Sequence, residues 1–314
     1  MEKKYRAGLI GVGSIAHIAH LPILAARNDV EMAGAFAEHI GSVQLTQKSY
    51  AIQHAVHNMD ELLSLGLDCA FVLSPKTVHA EQVIRLLEAG VDVFCEKPMG
   101  MTLKEAYDMA DASARTSRKL MIAFNRRYAP VYRKAKEIYG QISPDVLIAQ
   151  KNRPASEYRA TLENAIHMVD ILRYFCGECI KVGACSKFTD PLYETLTTAQ
   201  LQFENGSVAM LVANRASGQW VETLEMHGHN KSVLVNCPDS ITMTDAEQSH
   251  TTSMTPLAYG WAKVIDKMGF TQEVDHFFDC LAHDKEPLTN GADAYKTQEL
   301  MHRILTAAGL PGLE

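Results

Sequence analysis

The sequence predicts an α/β protein of two domains, a doubly wound parallel sheet followed by an α+β domain with a largely antiparallel sheet. Three observations predict it. Ala7–Leu24 reads as a short apolar strand, a glycine turn and a helix opening at about Ser14. Strand and helix patterns then alternate over roughly the first 120 residues, which implies a parallel sheet with helices on both faces. Past Asn125 the pattern changes to longer runs joined by hairpin turns. The division expected is therefore residues 1–123 and 124–314.

The elements follow in order. After the opening unit, Val30–Phe36 is the second strand, and Ser42–Tyr50 and Met59–Leu65 read as short helices. Asp68–Leu73 is an apolar strand stopped by Ser74-Pro75. Thr77–Ala89 is amphipathic, with Gly90 as its C-terminal stop. Val91–Cys95 is a strand broken by Glu96-Lys97-Pro98. Thr102 caps a helix to Arg115, with Glu105 at the capping-box position, and Leu120–Phe124 is the last strand of this half. In the second half, a helix around Val131–Tyr139 leads into Val146–Gln150, and Leu162–Phe175 reads as a helix ended by Gly177. Leu196–Phe203 and Ser207–Ala213 flank Glu204-Asn205-Gly206, a hairpin signal. Glu222–His227 and Ser232–Val235 flank a second polar turn, and helical patterns return at Phe270–Ala282 and Ala292–Ala308.

Composition excludes several classes. With 314 residues, 47% of them hydrophobic and 21% charged, the chain is globular and long enough for two domains. Its net charge of −7 is dispersed, with no basic stripe for nucleic acid. No apolar run approaches the ~20 residues of a membrane span. A cytoplasmic protein is expected. The seven cysteines are irregularly spaced, and Cys176-Gly-Glu-Cys179 lacks a second pair, so two buried thiols are expected there. Among thirteen histidines, His17/His20 and His54/His57 are spaced by three without a third ligand, and no HExxH occurs. No metal site is expected.

The chemistry concentrates where strands end. The spacing Gly11-x-Gly13-x-x-Ala16 suits a dinucleotide. Gly11 permits a tight turn, Gly13 lets a pyrophosphate approach the backbone without meeting a Cβ, and Ala16 lets the helix pack close. The helix start at Ser14 and Ile15 then offers N–H groups and partial positive charge. Ser74-Pro75 and Glu96-Lys97-Pro98 lie at further strand ends, where open parallel sheets bind ligands. Pro98 holds the Lys97 backbone extended and so directs its side chain. A second constellation is Glu163, His167 and Asp170. Spacings of four and three on a helix place them on one face, where two carboxylates would orient the imidazole as a proton shuttle.

Taken in order, Gly11-x-Gly13-x-x-Ala16, Pro75 with His79, Cys95-Glu96-Lys97-Pro98 and His167-x-x-Asp170 resemble the glucose–fructose oxidoreductase / inositol dehydrogenase / MocA (Gfo/Idh/MocA) family of nicotinamide-dependent oxidoreductases. Phe124-Asn125-Arg126-Arg127-Tyr128-x-Pro130, with Gly260-Trp261 and Gly269-Phe270, resembles its MviM-type branch. The resemblance covers essentially the whole chain. It implies an N-terminal Rossmann domain and a C-terminal domain whose open sheet often forms a homodimer or homotetramer interface. It implies hydride transfer at a hydroxyl-bearing carbon of a sugar, polyol or derivative. Lys97 matches the active-site lysine that orients the reacting oxygen, and His167 the acid/base. Ser74, Pro75, His79, Glu96, Lys97 and Asn125 fall at cofactor positions.

The chain also departs from the pattern. The usual Asp-x-Gly-x-His is here Glu163-Asn-Ala-Ile-His167, and Ser156–Leu162 replaces a glycine-rich run. The substrate pocket is thus expected to differ from those of the sugar dehydrogenases. Arg126, Arg127 and Arg153 are candidates for positive charge there, which would favour an acidic or phosphorylated substrate. At the end of the second strand stand Ala37-Glu38-His39. Glu38 could reach the ribose hydroxyls and repel a 2′-phosphate, favouring NAD over NADP. The alternative is a non-catalytic nicotinamide-binding sensor, which the altered Glu163–Ala165 pattern would suit.

Overall fold

The computed structural model describes residues 4–154, 159–188, 194–254 and 263–314. Gly260-Trp261 and residues 156–158 of the run before His167 lie outside these. The chain forms two compact units. One holds the residues up to Ala123, Phe270–Lys296 and Glu314, the other Phe124–Gly269 and Thr297–Leu313. A single cut into 1–123 and 124–314 therefore needs correction, because the stretch from Phe270 returns to the first unit. The reason is apolar burial. Phe277 and Phe278 of the helix Phe270–His283 meet Phe71 and Phe94 edge-on or tilted, with centroids 5.7–6.0 Å apart. Thr289 and Ile122 exchange hydrogen bonds, which extend the sheet edge.

The first unit is built on a parallel sheet of β1 (Tyr5–Ile10), β2 (Val30–Phe36), β3 (His54–Val56), β4 (Cys69–Val72), β5 (Asp92–Cys95) and β6 (Leu120–Ile122). The strand order is β3-β2-β1-β4-β5-β6. Its direction reverses between β1 and β4, which opens a crevice at their carboxyl ends. The central strands are buried on both faces, which is why they read as unbroken apolar runs. Three-residue β3 carries too short a pattern to be seen beforehand. The Thr102–Glu105 capping box forms as expected.

The second unit carries β7 (Val146–Asn152), β8 (Cys179–Phe188), β9 (Glu194–Phe203), β10 (Val208–Asn214), β11 (Val221–Gly228), β12 (Lys231–Asn236), β13 (Ser240–Asp245) and β14 (Gln248–Ser253). They form one sheet in the order β14-β13-β12-β11-β7-β10-β9-β8, with β7 and β10 parallel and the other neighbours antiparallel. Strand β14 is exposed along its whole length, β8 is largely exposed and β13 is half-buried, so they lack the buried apolar alternation that marks a strand. Helices Pro130–Tyr139 and Ile166–Cys176 pack on one face, over Leu147, Ala149, Leu224 and Val233. Val146, Met210 and Leu234 are exposed on the other.

Candidate functional site

In the first unit, a cavity of about 610 Å³ opens at the carboxyl ends of β1, β2 and β4. Gly11, Gly13, Ser14, Ile15, Ala37, Glu38, Ser74 and Pro75, all named above as cofactor candidates, line it. His39 lines it as well, and so do Ser42, Thr77 and Gln82, to which no motif had pointed. The two glycines differ in kind. Gly11 has φ +90°, and a Cβ there would lie 2.6 Å from Ser74 N and 2.7 Å from the Leu73 carbonyl. A Cβ on Gly13 would meet nothing within 4 Å. Gly11 is thus required by the protein's own backbone, whereas the space beside Gly13 is open to a ligand. The helical stretch over residues 14–25 starts at this opening, and Ala16–His20 within it is π-helical. Such segments recur at functional sites and carry no sequence signature. A cradle of this size, open beside Gly13 and facing a helix start, fits a dinucleotide phosphate.

His79, Glu96 and Lys97 stand in the same unit but do not line the cavity. His79 is buried between two backbone carbonyls, with Nδ1 3.0 Å from Pro98 O and Nε2 3.0 Å from Ser74 O, and in its neutral form it donates to one of them. Burial lowers its pKa below the ordinary histidine value, against the pull of both carbonyls. His79 thus packs between the chain just past β4, at Ser74, and the Pro98 carbonyl that follows Lys97. The Lys97–Pro98 bond is cis, an isomer the sequence could not reveal. Glu96 is buried, accepts from His20 Nε2 at 2.9 Å through Oε1, and accepts from the Lys97 backbone N–H at 3.2 Å through Oε2. Burial opposes its charge. The His20 hydrogen bond and the charges of His20 and Lys97 outweigh that and hold the carboxyl below its usual range.

In the second unit, His167 is the second residue of the helix Ile166–Cys176 and is only 6% exposed. Residues Ala160–Ala165 before it are π-helical, so Glu163 and His167 do not follow the 3.6-residue spacing that the sequence implied. Glu163 Oε2 accepts the Arg159 backbone N–H at 2.8 Å and so caps the start of its own helix. Asp170 is fully buried. It accepts Arg127 Nε and Nη2 at 2.8 and 2.6 Å, and the Thr297 hydroxyl at 3.0 Å. Both carboxylates therefore have structural partners that the sequence did not announce.

Of the arginines, Arg126 is corrected as a substrate-binding candidate. It is buried, and its Nε and Nη2 donate to the two oxygens of Glu222 at 2.6 and 2.9 Å. Lys151 donates to the same carboxylate from the inner face of the sheet. Glu222 is therefore held ionised, far below the usual carboxylate range, by two cations that outweigh its burial. Lys151, buried beside Arg126, is pulled down to about 7. Asn125 Nδ2 donates to Met268 O at 2.9 Å, which gives this cofactor candidate a structural tie within the second unit. Arg153 is half-buried. Its Nε donates to Asn164 Oδ1 at 3.0 Å, and its guanidinium lies 4.1 Å from the ring centre of Trp220, which is 47% exposed. Cys176 and Cys179 are buried free thiols. Among the described residues, no cluster of three or more His, Cys, Asp or Glu side chains could hold a metal, and no helix is long and apolar enough to cross a membrane.

Comparison with known proteins agrees with this geometry. The oxidoreductase family with an NAD-binding Rossmann fold, GFO_IDH_MocA, matches residues 5–124, and the family's C-terminal alpha/beta domain matches residues 154–309. The chain is 20% identical over 319 residues to scyllo-inositol 2-dehydrogenase (NAD(+)) of Bacillus subtilis, covering 94% of this chain and 91% of that one. Among solved structures, a dehydrogenase (MviM) from Clostridium difficile superposes with a TM-score of 0.88 at 24% identity, covering 97% of this chain and 100% of that one. An oxidoreductase from Agrobacterium radiobacter, solved in complex with NAD+, L-tartaric acid and magnesium, superposes with a TM-score of 0.88 at 18% identity, covering 98% and 97%. With both domain models matched in order and the glycine turn lining its cavity, the chain belongs to the Gfo/Idh/MocA family of NAD(P)-binding oxidoreductases.

Proposed function

We propose that the protein is an NAD-preferring dehydrogenase that oxidises or reduces a hydroxyl-bearing carbon of a sugar, polyol or related small molecule, with Lys97 and His167 as its catalytic pair. The observation that carries this is the cavity at Gly13, open where a pyrophosphate would lie and flanked by Glu38. Bound nicotinamide supplies the hydride acceptor or donor. Gly13, Ser14 and Ile15 hold the phosphates through backbone N–H groups, and Glu38 accepts from the ribose hydroxyls while repelling a 2′-phosphate. Lys97 donates to the reacting oxygen and directs it. In the oxidative direction, His167 takes the hydroxyl proton as the carbon gives up its hydride, and returns it in reduction. Glu163 and Asp170 act one step removed, by holding the helix that carries His167. Arg153 beside Trp220 supports recognition of an anionic group on the substrate.

The exposed apolar residues of the open sheet face, Val146, Met210 and Leu234, support self-association through that sheet. The sensor reading rests on Glu163, whose carboxylate caps its own helix. A parallel fluorescence titration with NADH and NADPH, followed by a polyol and sugar-acid turnover screen, tests the proposal. Tighter binding of NADH is expected. Lys97→Ala and His167→Ala should each abolish turnover with cofactor affinity changed less than about threefold, and wild-type turnover in either would end the catalytic assignment. Failure to bind either nucleotide would remove the cofactor reading altogether.

A further inference from the structure

His20 closes the π segment that follows the glycine turn and has no exposed surface. Its ring lies among Phe71, Phe94 and Phe270, with centroids 6.3, 5.2 and 6.0 Å away. Aromatic walls offer an imidazole no strong acceptor, and the hydrogen bond that Nε2 makes is to Glu96 Oε1 at 2.9 Å. An ionised carboxylate only accepts, so Nε2 carries the proton in this pair. Nδ1 is buried with no hydrogen-bond partner among the described residues, so the Glu96 contact is the hydrogen bond that orients this ring.

The other Glu96 oxygen accepts the Lys97 backbone N–H. One carboxylate thus joins the helix after the glycine turn to the first peptide of Lys97, two motifs 76 residues apart. His20, His79, Cys95 and Lys97 share this corner with Glu96, and the Glu105 carboxylate also acts on His79. The Cys95 thiol is pushed well up by its burial and by Glu96, and His79 is lowered by burial, so both are neutral near pH 7. That leaves His20, bound to the carboxylate, and the Lys97 ammonium, whose charge helps to hold Glu96 ionised. A buried carboxylate stripped of a donor turns, protonates or draws in water.

We propose that His20 is a positioning residue for Lys97: it clamps the Glu96 carboxylate against the Lys97 peptide and so sets both the direction of the lysine and the counter-charge beside it. This deepens the reading of Lys97 as catalytic, and only its consequence for turnover rests on that reading.

Two substitutions separate the clamp from simple packing. His20→Phe suits the aromatic walls but removes the donor. His20→Gln keeps an N–H of similar reach and suits those walls poorly. The probe is 2,4,6-trinitrobenzenesulfonate, which labels only the unprotonated amine, with Lys97 labelling followed by peptide mass spectrometry in cofactor-free protein from pH 7 to 10. At pH 8, His20→Phe and Glu96→Gln should label Lys97 about tenfold faster than wild type, the effect of losing one close opposite charge. His20→Gln should stay within about twofold of wild type. Thermal midpoints should rank the other way, with the Phe variant above the Gln variant. Wild-type labelling in His20→Phe, or fast labelling in His20→Gln, overturns the proposal. Turnover of Lys97→Ala decides the catalytic reading separately, because the labelling comparison uses no substrate and holds or fails on its own.

Discussion

The two glycines of the turn after β1, proposed to hold the phosphates, should fail in opposite ways when given a side chain. Gly11 sits at φ +90°, where an L-residue costs about 1–3 kcal/mol. The added Cβ would also press on Ser74 N at 2.6 Å and on Leu73 C and O at 2.7 Å. These are backbone atoms at the end of β4 and cannot swing aside as a side chain would, so overpacking adds about 1–3 kcal/mol. Gly11→Ala should therefore lose about 2–6 kcal/mol, a large part of the roughly 5–15 kcal/mol of an ordinary domain. Gly13 has no positive φ, and its Cβ would meet nothing. Gly13→Val should change stability by less than about 0.5 kcal/mol. It should instead displace the pyrophosphate from backbone N–H groups. Hydrogen bonds to a charged partner are worth about 1.5–3 kcal/mol each, so loss of one weakens NADH binding about ten- to hundredfold. Urea denaturation and NADH fluorescence titration of both variants give the four numbers. Unchanged NADH affinity in Gly13→Val would refute the placement of the pyrophosphate. Wild-type stability in Gly11→Ala would refute the close-approach argument.

Other consequences can be measured on the same protein. Glu38→Arg should shift the ratio of NADH to NADPH affinity toward NADPH, and an unchanged ratio would remove Glu38 from the ribose site. Glu222→Gln leaves the buried Arg126 and Lys151 without their shared anion and should cost about 3–5 kcal/mol in urea denaturation. Lys151→Met keeps the Arg126–Glu222 pair and should cost under about 1.5 kcal/mol; equal losses would mean that Lys151, not Arg126, balances Glu222. Lys151 titrates at about 7 when folded against 10.5 as a model side chain, so the unfolded chain binds more protons between those values. Its contribution is present in full above pH 10.5 and falls away as pH drops toward 7. The stability of wild type relative to Lys151→Met should rise between pH 7 and pH 10, and a flat difference would contradict it.

The residues lining the cavity at the ends of β1, β2 and β4 were legible where their chemistry is local. Gly11, Gly13 and Ser14 could be named because turn, close approach and helix start are properties of consecutive residues. Ser42, Thr77 and Gln82 could not, because they reach the cavity from other loops and nothing beside them in the chain marks them. The Glu163–His167–Asp170 face was derived from an α-helical period, and the π segment Ala160–Ala165 changes that period. The extra backbone residue in such a turn is set by packing, so no window of sequence announces it.

Alternation of apolar strands with amphipathic helices, the Thr102–Glu105 cap and the Asn205-Gly206 turn were determined by the sequence itself, since each depends on neighbours within a few residues. The same holds for the candidate dinucleotide turn and the Glu96-Lys97-Pro98 corner. Only the tertiary structure decided the pairing of charges. His20 meets Glu96 across 76 residues, Arg127 meets Asp170 across 43, and Arg126 meets Glu222 across 96. It also decided that Phe270–Lys296 rejoins the first unit. A buried ion must find its partner wherever the chain's apolar packing places one, and that search runs through space rather than along the sequence.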